Sequence, residues 1–206
     1  MELLGDVRCG WGTLPGERGR GVVAMTRLCL VRHARPTSGW GAGGDPGLDD
    51  VGRAQANAMA STLAAGDPRP IVVSPLRRTR ETAAALAVLW GTEAFVEPSV
   101  GEIPTPSEVG EDRAAWLRAT LNGRWSSLGE DLQQWRKSVL MTLRELEHDA
   151  VVVTHFVAIN AVVGEATGDD RVVTFSPDYA SITEVDIDRT GIRVVRLGAE
   201  SSTTVR

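Results

Sequence analysis

The sequence is short of lysine, cysteine and histidine. Only one of its 22 basic Lys and Arg residues, Lys137, is a lysine, so an arginine by itself is weak evidence of phosphate recognition. The two cysteines, Cys9 and Cys29, are too few for a disulfide framework, and Cys29 is typical of a small buried apolar residue. With three histidines in 206 residues, the position of each histidine is informative.

Long apolar runs and an excess of positive charge are also absent. No apolar run approaches the ~20 residues that cross a bilayer, and residues 1–24 contain no apolar segment typical of a secretory signal. The net charge of −5 argues against a general nucleic-acid-binding surface. We therefore expect a cytoplasmic protein that binds neither membranes nor nucleic acids.

Length and composition fit one globular domain. A hydrophobic content of 42% and a charged content of 24% are typical of such domains. Residues 1–24 are rich in Gly and Arg without periodicity, which predicts a flexible lead. Met25 is then a candidate for the true start, and the domain is predicted over residues 25–206, as a monomer or a homodimer.

Short apolar runs alternate along the chain with amphipathic segments. Apolar or alternating runs predict strands, and apolar side chains spaced by three or four residues predict helices. Predicted strands cover residues 28–31, 71–74, 93–97, 150–154, 181–187 and 192–197, and predicted helices cover about 49–65, 76–90, 112–121, 131–147 and 156–167. Strands that alternate with helices indicate an α/β fold, a three-layer α/β/α sandwich around a mostly parallel sheet.

Two of the three histidines directly follow predicted strands. Arg32 and His33 follow the first strand, and His155 follows the strand at 150–154. The third, His148, ends an amphipathic helix, where a cation is ordinary capping. One such histidine alone could be structural, but ligands of open α/β sheets bind at the carboxyl ends of strands, so the pair favours a functional site.

A third polar strand end lies between these two histidines. Ser74 ends a strand, and Arg77, Arg78 and Arg80 follow in the first turns of the next helix. Because the amino end of a helix is positive, three cations there are unfavourable unless an anion is bound. We expect Ser74 to help cap this helix, with contact to a phosphate as the alternative role, and we expect Arg77 and Arg80 to be solvated.

Two further residues have two open interpretations each. Trp40 lies in a loop rich in Gly, Ser, Asp and Pro, where its side chain could wall a pocket or pin the loop to the body. Arg35 could lie at the rim of a pocket or face solvent.

Four segments resemble the histidine phosphatase superfamily, which has the phosphoglycerate mutase-like fold. They are Leu-Val-Arg32-His33-Ala-Arg-Pro, Leu48-Asp-Asp-Val-Gly-Arg-Ala-Gln-Ala, Ser74-Pro-Leu-Arg-Arg78-Thr-Arg-Glu-Thr-Ala and Val-Val-Val-Thr-His155, and the resemblance covers about residues 27–198. It implies that His33 is a nucleophile that becomes phosphorylated and that Glu102 is a general acid. It also implies that Arg32, Arg78 and His155 complete a phosphate pocket.

These residue types suit phosphoryl transfer. A planar, charged guanidinium group can donate two parallel hydrogen bonds to the equatorial oxygens of the transferred phosphoryl group. His33 must be unprotonated on the attacking nitrogen, so we expect Arg32 and Arg78 to lower its pKa and a backbone carbonyl to bind its other nitrogen. No metal-ligand cluster is visible in the sequence, and we expect no metal or other cofactor.

The sequence departs from the family pattern at several positions. Ala34 and Phe156 stand where the family has glycine after each histidine, and either side chain could crowd the site or narrow substrate choice. With Arg35 and Trp40, Phe156 is therefore a candidate substrate contact. Gly39 stands where mutases have Asn, and the loop at Glu102 lacks their Glu-Arg-x-Tyr-Gly pattern, which favours a phosphatase.

The long stretch at about 103–147 predicts a helical cap over the pocket and hence a small phosphorylated substrate. The expected function is that of a metal-independent phosphomonoesterase that works through a phosphohistidine. One alternative is mutase-type phosphoryl transfer. The other is a catalytically weak phospho-ligand-binding protein whose site Ala34 and Phe156 have spoiled.

Overall fold

The structure is a computed structural model that describes residues 25–38 and 44–201, except for the side chains of Glu108 and Glu111. The predicted lead at 1–24, Cys9, Gly39 and Trp40 lie outside these residues. The strands are β1 (Thr26–Arg32), β2 (Ile71–Val73), β3 (Ala94–Val96), β4 (Ala150–Thr154), β5 (Ile182–Ile187) and β6 (Ile192–Arg196). The α-helices are α1 (Asp50–Leu63), α2 (Arg77–Trp90), α3 (Arg113–Leu121), α4 (Glu130–Arg144) and α5 (Phe156–Thr167).

The strands form one sheet in the order β3-β2-β4-β1-β5-β6. The first four of these are parallel to one another, and β5 and β6 run antiparallel as a terminal hairpin. This confirms the mostly parallel sheet. β1 and β4 are central neighbours, and Arg32 pairs in register with Thr154, so the residues that follow each strand emerge side by side.

The two faces of the sheet are covered by different helices. Successive strand side chains point to opposite faces. Val31 and Val153 pack with α1 and α2, whereas Leu30 and Val152 pack with α4 and α5. The predicted three-layer sandwich is therefore confirmed, and no helix in the described ranges has the length and apolar character needed to cross a membrane.

Two helix starts differ in how their first N–H groups are satisfied. Asp49 is the N-cap of α1 and accepts a 2.7 Å hydrogen bond from the Gly52 N–H, as its residue type predicts. Helix α2 begins at Arg77, and its N-cap Leu76 has no side-chain cap. Helix α2 thus begins one residue later than the predicted start at residue 76.

The predicted cap at 103–147 includes a helix that belongs to the body of the fold. Val139 and Leu143 of α4 are buried with the strand residues Leu28 and Val152. The amphipathic stripe of α4 is thus buried against the sheet, because that face of the sheet presents apolar side chains to it. The prediction that residues 103–147 form a cap is therefore wrong for α4. It stays open for the part of this stretch that contains α3, where Leu117 packs in a separate apolar cluster.

Candidate active site

The carboxyl ends of β1 and β4 place two buried histidines together. The backbone N–H of His33 donates to the carbonyl of Thr154 at 2.9 Å, which continues the parallel ladder past the end of β1. The ring centroids of His33 and His155 are 5.3 Å apart. Strand register thus brings together two residues that are far apart in sequence.

His33 has a defined tautomer. Its Nδ1 lies 2.9 Å from the carbonyl oxygen of Ala34, and Arg78 Nε donates to its Nε2 at 3.3 Å. Because a carbonyl can only accept, Nδ1 carries the proton and Nε2 carries the lone pair. This is the backbone contact that the sequence argument expected, with the free nitrogen turned to Arg78.

The pKa of His33 is well below its usual 6.5. Burial is the largest cause, followed by the nearby His155 and then by Arg32 and Arg78. The expected lowering is therefore present, but the two arginines are its smaller causes. His33 is neutral at physiological pH, which is the state of a nucleophile.

Arg78 lies at the centre of the site. It extends from the first turn of α2, and its terminal nitrogen NH2 is 3.4 Å from both Glu102 Oε2 and His155 Nδ1. Its other terminal nitrogen lies 3.9 Å from Asp45 Oδ1. One guanidinium therefore contacts both histidines and the candidate acid.

Glu102 is held by the loop that follows β3. The hydroxyl of Thr154 donates to the carbonyl of Val100 at 2.6 Å, which ties this loop to the end of β4. Glu102 Oε2 lies 3.3 Å from His155 Nδ1. Burial raises the pKa of Glu102, but the electrostatic interaction and hydrogen bond with His155, together with the electrostatic effects of His33 and Arg78, outweigh it and lower the pKa to about 2.

Ser74 contacts His155 more closely than it contacts the start of α2. Its hydroxyl is 2.8 Å from His155 Nε2 and 3.4 Å from the Leu76 backbone N–H. The predicted capping contact is thus the weaker one. Because Nδ1 of His155 faces the Glu102 carboxylate, the Ser74 hydroxyl serves as the donor to Nε2 and orients the ring.

The cations at the start of α2 have a protein anion beside them. The Arg77 backbone N–H donates to both carboxylate oxygens of Asp45, at 2.8 and 2.9 Å. The Arg77 side chain pairs with Glu81 at 2.6 Å on the surface, and Arg80 is exposed. Asp45 therefore supplies part of the negative charge that the sequence argument assigned to a ligand.

Arg32 lies behind the histidines. Its side chain is buried, and NH1 donates to the carbonyl of Pro177 at 2.8 Å. The guanidinium lies 3.9 Å from the ring centroid of Tyr179 and 5.1 Å from that of Phe156, and burial lowers its pKa. The structure thus brings Arg32 near the site, but its direct partners in the described chain are a carbonyl and two rings.

Tyr179 is the contact that sequence reasoning missed. Its ring centroid lies 5.8 Å from that of His33 as well as beneath Arg32. The Ala180 N–H donates to the carbonyl of Arg32 at 3.0 Å and fixes this loop against β1. The only signal in the sequence was that Tyr179 is the chain's single tyrosine, which does not predict a location.

Three of the candidate substrate contacts lie outside the site or outside the described residues. Arg35 is exposed and pairs with Asp49 at 2.7 Å, which places it at the start of α1. Phe156 packs with Ile103 and other apolar side chains, behind the cavity wall. Trp40 is one of the residues that the structure does not describe, so its role stays a prediction.

Ala34 does not crowd the site. Its methyl group packs with Leu48 and Ala56 in a small apolar cluster, and its N–H donates to Thr82 Oγ1 at 3.0 Å. The extra methyl relative to glycine therefore points into the core. Of the two possibilities for Ala34, the structure gives no support to crowding of the phosphate, because the side chain points into this cluster.

A cavity of about 310 Å³ opens above these groups. His33, Arg78 and Glu102 line it, as do the apolar side chains Leu76, Ile103 and Leu117 and the polar side chains Thr105 and Arg113. Small-molecule sites range from about 300 to 1,000 Å³. The cavity therefore fits a small ligand.

Three side chains of the site have the composition of a metal site. Nitrogens of His33 and His155 and an oxygen of Glu102 lie within 4.8 Å of one another. Sequence spacing did not reveal this group, because the fold assembles it. The guanidinium of Arg78 contacts the same three side chains at 3.3 to 3.4 Å, so a divalent cation there would be repelled by a permanent positive charge.

Comparison with known proteins agrees with this geometry. The model of the histidine phosphatase superfamily (branch 1) matches residues 28–200. The chain therefore belongs to the histidine phosphatase superfamily, as the four sequence segments implied. None of the curated proteins matches the chain.

Solved structures share the fold at low sequence identity. A phosphoserine phosphatase from Entamoeba histolytica, in complex with 3-phosphoglyceric acid, is 23% identical over 86% of this chain and 98% of that one, with a TM-score of 0.67. A mycobacterial glucosyl-3-phosphoglycerate phosphatase, in complex with VO3, is 20% identical over 85% and 100%, with a TM-score of 0.64. The protein TTHB049 from Thermus thermophilus is 26% identical over 84% and 99%, with a TM-score of 0.56.

Proposed function

We propose that this chain is a metal-independent phosphomonoesterase that hydrolyses a small phosphorylated metabolite through a phosphohistidine at His33. The observation that carries the proposal is the position of His33 at the cavity wall, where its Nδ1 faces the Ala34 carbonyl and its Nε2 lies 3.3 Å from Arg78 Nε. We further propose that the protein acts in the cytoplasm, with neither a membrane nor a nucleic acid as partner.

In the first step, Nε2 of His33 attacks phosphorus, an N–P bond forms and the ester P–O bond breaks. Arg78 exchanges its contacts with His33 and Glu102 for contacts with phosphoryl oxygens, because a dianion is the stronger partner for a guanidinium. His155 donates from Nδ1 to the same group. Arg32 supports the site through its charge and through its stacking on Tyr179. This arrangement supplies the positioning and charge stabilisation on which phosphoryl transfer depends.

Glu102 protonates the oxygen of the leaving alcohol in this step. A pKa of about 2 means that Glu102 is ionised at neutral pH. A bound dianionic phosphoryl group raises that pKa, because two like charges within a few ångström disfavour ionisation, and it also competes for Arg78. Glu102 therefore takes up a proton from solvent as the substrate binds, and this is the proton that passes to the leaving alcohol. In the second step the Glu102 carboxylate takes a proton from water, which attacks the phosphohistidine and releases phosphate and neutral His33.

Hydrolysis is favoured over the two alternatives. The spoiled-site hypothesis required Ala34 and Phe156 to obstruct the pocket, whereas both side chains pack into apolar clusters. The mutase alternative gains no supporting contact in the described residues. Two of the structural relatives are a phosphoserine phosphatase and a glucosyl-3-phosphoglycerate phosphatase, which is consistent with the same class of reaction here.

The test is a phosphatase assay on sugar phosphates, nucleotides and an aryl phosphate, with matched histidine variants. We expect turnover of at least one small ester, and a loss of at least about 10³-fold in kcat for His33→Ala, because no other group replaces the nucleophile. His148→Ala, at an exposed histidine, is the control and should match the wild type. Turnover that survives in His33→Ala would refute the mechanism, and tight phosphate binding without turnover would favour a binding protein.

A further inference from the structure

We propose that the substrate carries a carboxylate in addition to its phosphate, and that Arg113 binds this carboxylate. The inference rests on the proposed function of the same cavity. Among the charged side chains that line the cavity, His33, Arg78 and Glu102 form the reactive end. Arg113 is the remaining charged side chain among the lining residues, and the phosphoryl chemistry does not use it.

The position of Arg113 is unusual for a cation. It is the first residue of α3, at the positive end of a nine-residue helix whose first turn contains no acidic side chain. The preceding Asp112 is exposed, and its side chain makes no capping hydrogen bond. A cation at that point is unfavourable unless an anion approaches it, and the cavity is where an anion can do so.

One hydrogen bond to another side chain of the cavity orients Arg113. Nε donates to Thr105 Oγ1 at 2.8 Å, and Thr105 lines the same cavity. This bond fixes the guanidinium. Among the side chains that the structure describes, which do not include those of Glu108 and Glu111, no carboxylate is paired with it. By contrast, the half-buried Arg136 and Arg144 both pair with Glu165, at 3.2 and 3.0 Å. Arg113 is thus a fixed, half-buried cation at the cavity wall, with no carboxylate paired to it among the described side chains.

The chemistry favours a carboxylate as its partner. A guanidinium and a carboxylate are both planar and can form two parallel hydrogen bonds. A single arginine balances one negative charge, whereas a second phosphate would bring up to two charges into a cavity that already contains the Glu102 carboxylate. The apolar side chains of Ile103 and Leu117 also line the cavity, which suits a short carbon chain between the two anionic groups of the substrate.

The test measures binding of a matched pair of ligands by calorimetry. 3-Phosphoglycerate and glycerol 3-phosphate share the phosphate and the three-carbon body, and they differ in having a carboxylate or a hydroxymethyl group. The protein is the full chain with His33→Ala, so that neither ligand is turned over. Arg113→Gln and Arg113→Lys are added to this background, and Arg118→Gln, at an exposed arginine of the same helix, is the matched control.

We expect the His33→Ala protein to bind 3-phosphoglycerate about tenfold or more tightly than glycerol 3-phosphate, the usual effect of a charged hydrogen-bonded pair. Arg113→Gln should reduce this ratio of affinities to about one. Arg113→Lys should give an intermediate ratio, because lysine keeps the positive charge but cannot form two parallel hydrogen bonds to a carboxylate. Arg118→Gln should leave the ratio of the His33→Ala protein unchanged. Circular dichroism confirms that each variant is folded.

Two results would overturn the assignment to Arg113. One is equal binding of the two ligands by the His33→Ala protein, and the other is a ratio that Arg113→Gln leaves unchanged. Tighter binding of 1,3-propanediol bisphosphate than of 3-phosphoglycerate would contradict the choice of a carboxylate. Turnover by the wild type is a separate readout: if no ester is hydrolysed, the proposed function fails, while the binding ratio still decides the role of Arg113.

Discussion

At the scale of single residues, His33 owes its neutral state to burial more than to its cationic neighbours. Its side chain is 1% exposed, and desolvation outranks His155, Arg32 and Arg78 among the causes of its lowered pKa. A buried neutral histidine also couples catalysis to stability. The same desolvation that keeps Nε2 nucleophilic makes protonation of the folded chain costly.

This coupling predicts a pH dependence of stability. Below about pH 6.5 the unfolded chain binds a proton at His33 that the folded chain does not bind, so the free energy of unfolding falls as pH falls. The contribution approaches about 1.4 kcal/mol per pH unit once the unfolded histidine is protonated. Urea denaturation of the wild type and of His33→Gln at several pH values between 7.5 and 5.5 gives the urea midpoint at each pH. The change in that midpoint with pH measures the contribution of His33 to the free energy of unfolding.

We expect the stability of His33→Gln to decline less steeply with falling pH than that of the wild type. His148→Gln, at an exposed position, should keep the slope of the wild type. Equal slopes for His33→Gln and the wild type would show that His33 binds its proton equally well in the folded and unfolded chains.

Glu102 is the second residue whose ionisation matters. Gln at this position preserves shape and removes both the proton donor and the base, so Glu102→Gln should lower kcat for alkyl phosphates by about 10²–10⁴-fold. The loss in the first step should be smaller for an aryl phosphate, whose leaving group needs less protonation. Steady-state and burst kinetics check this, with the exposed Glu93→Gln as control. Unchanged kcat for alkyl esters would remove Glu102 from the mechanism.

At the scale of elements, one threonine joins the nucleophile loop to the helix that carries Arg78. Thr82 is buried in α2, accepts a hydrogen bond from the Ala34 N–H at 3.0 Å and donates to the Arg78 carbonyl at 2.7 Å. The end of β1 and the first turns of α2 are thereby held together. The distance between His33 and Arg78 depends on this link.

Thr82→Val should therefore be destabilising. Valine has nearly the same shape but leaves the Ala34 N–H buried without an acceptor, which costs about 1–3 kcal/mol in the free energy of unfolding. Thr82→Ser keeps the hydroxyl and is the matched control, with a smaller loss from one buried methyl. Chemical denaturation measures both variants. A Thr82→Val protein as stable as Thr82→Ser would mean that the hydroxyl contributes nothing to this junction.

At the scale of the whole molecule, the sequence predicted those parts of the site that follow from strand order. His33, His155 and Arg78 come immediately after buried strands or at the first turn of a helix, and parallel strands deliver their ends to one edge. Their meeting was therefore predictable. Glu102 was placed by family resemblance alone, since a Gly-Glu-Ile-Pro loop has no periodicity that fixes its location.

Other features could not be predicted because they depend on packing between distant segments. Tyr179 lies below Arg32 only because the loop before β5 is bonded to the end of β1. Asp45 reaches the start of α2 from a loop about thirty residues earlier, a pairing that neither segment's pattern indicates. The misassignment of α4 to a cap had a similar cause, since an amphipathic helix does not reveal which apolar surface it covers.

The whole site also predicts that activity does not depend on a metal. Arg78 supplies permanent positive charge at the centre of the one described cluster that could hold a cation. Dialysis against EDTA should therefore leave kcat/KM unchanged within about twofold, a free-energy difference below about 0.5 kcal/mol. A large loss that added Mg²⁺ or Zn²⁺ restores would contradict this account.

The most direct test of the central claim is to trap the phosphoryl group on His33. Glu102→Gln mixed with an aryl phosphate should accumulate the intermediate, because its formation needs little acid catalysis whereas its hydrolysis needs the base. Alkaline quenching followed by mass spectrometry of the peptide that contains His33 should show one phosphoryl group, stable to alkali and lost in acid, and His33→Ala should show none. Hydrolysis of the ester with no phosphoryl group on His33 at any time, or with the label on another residue, would contradict the account.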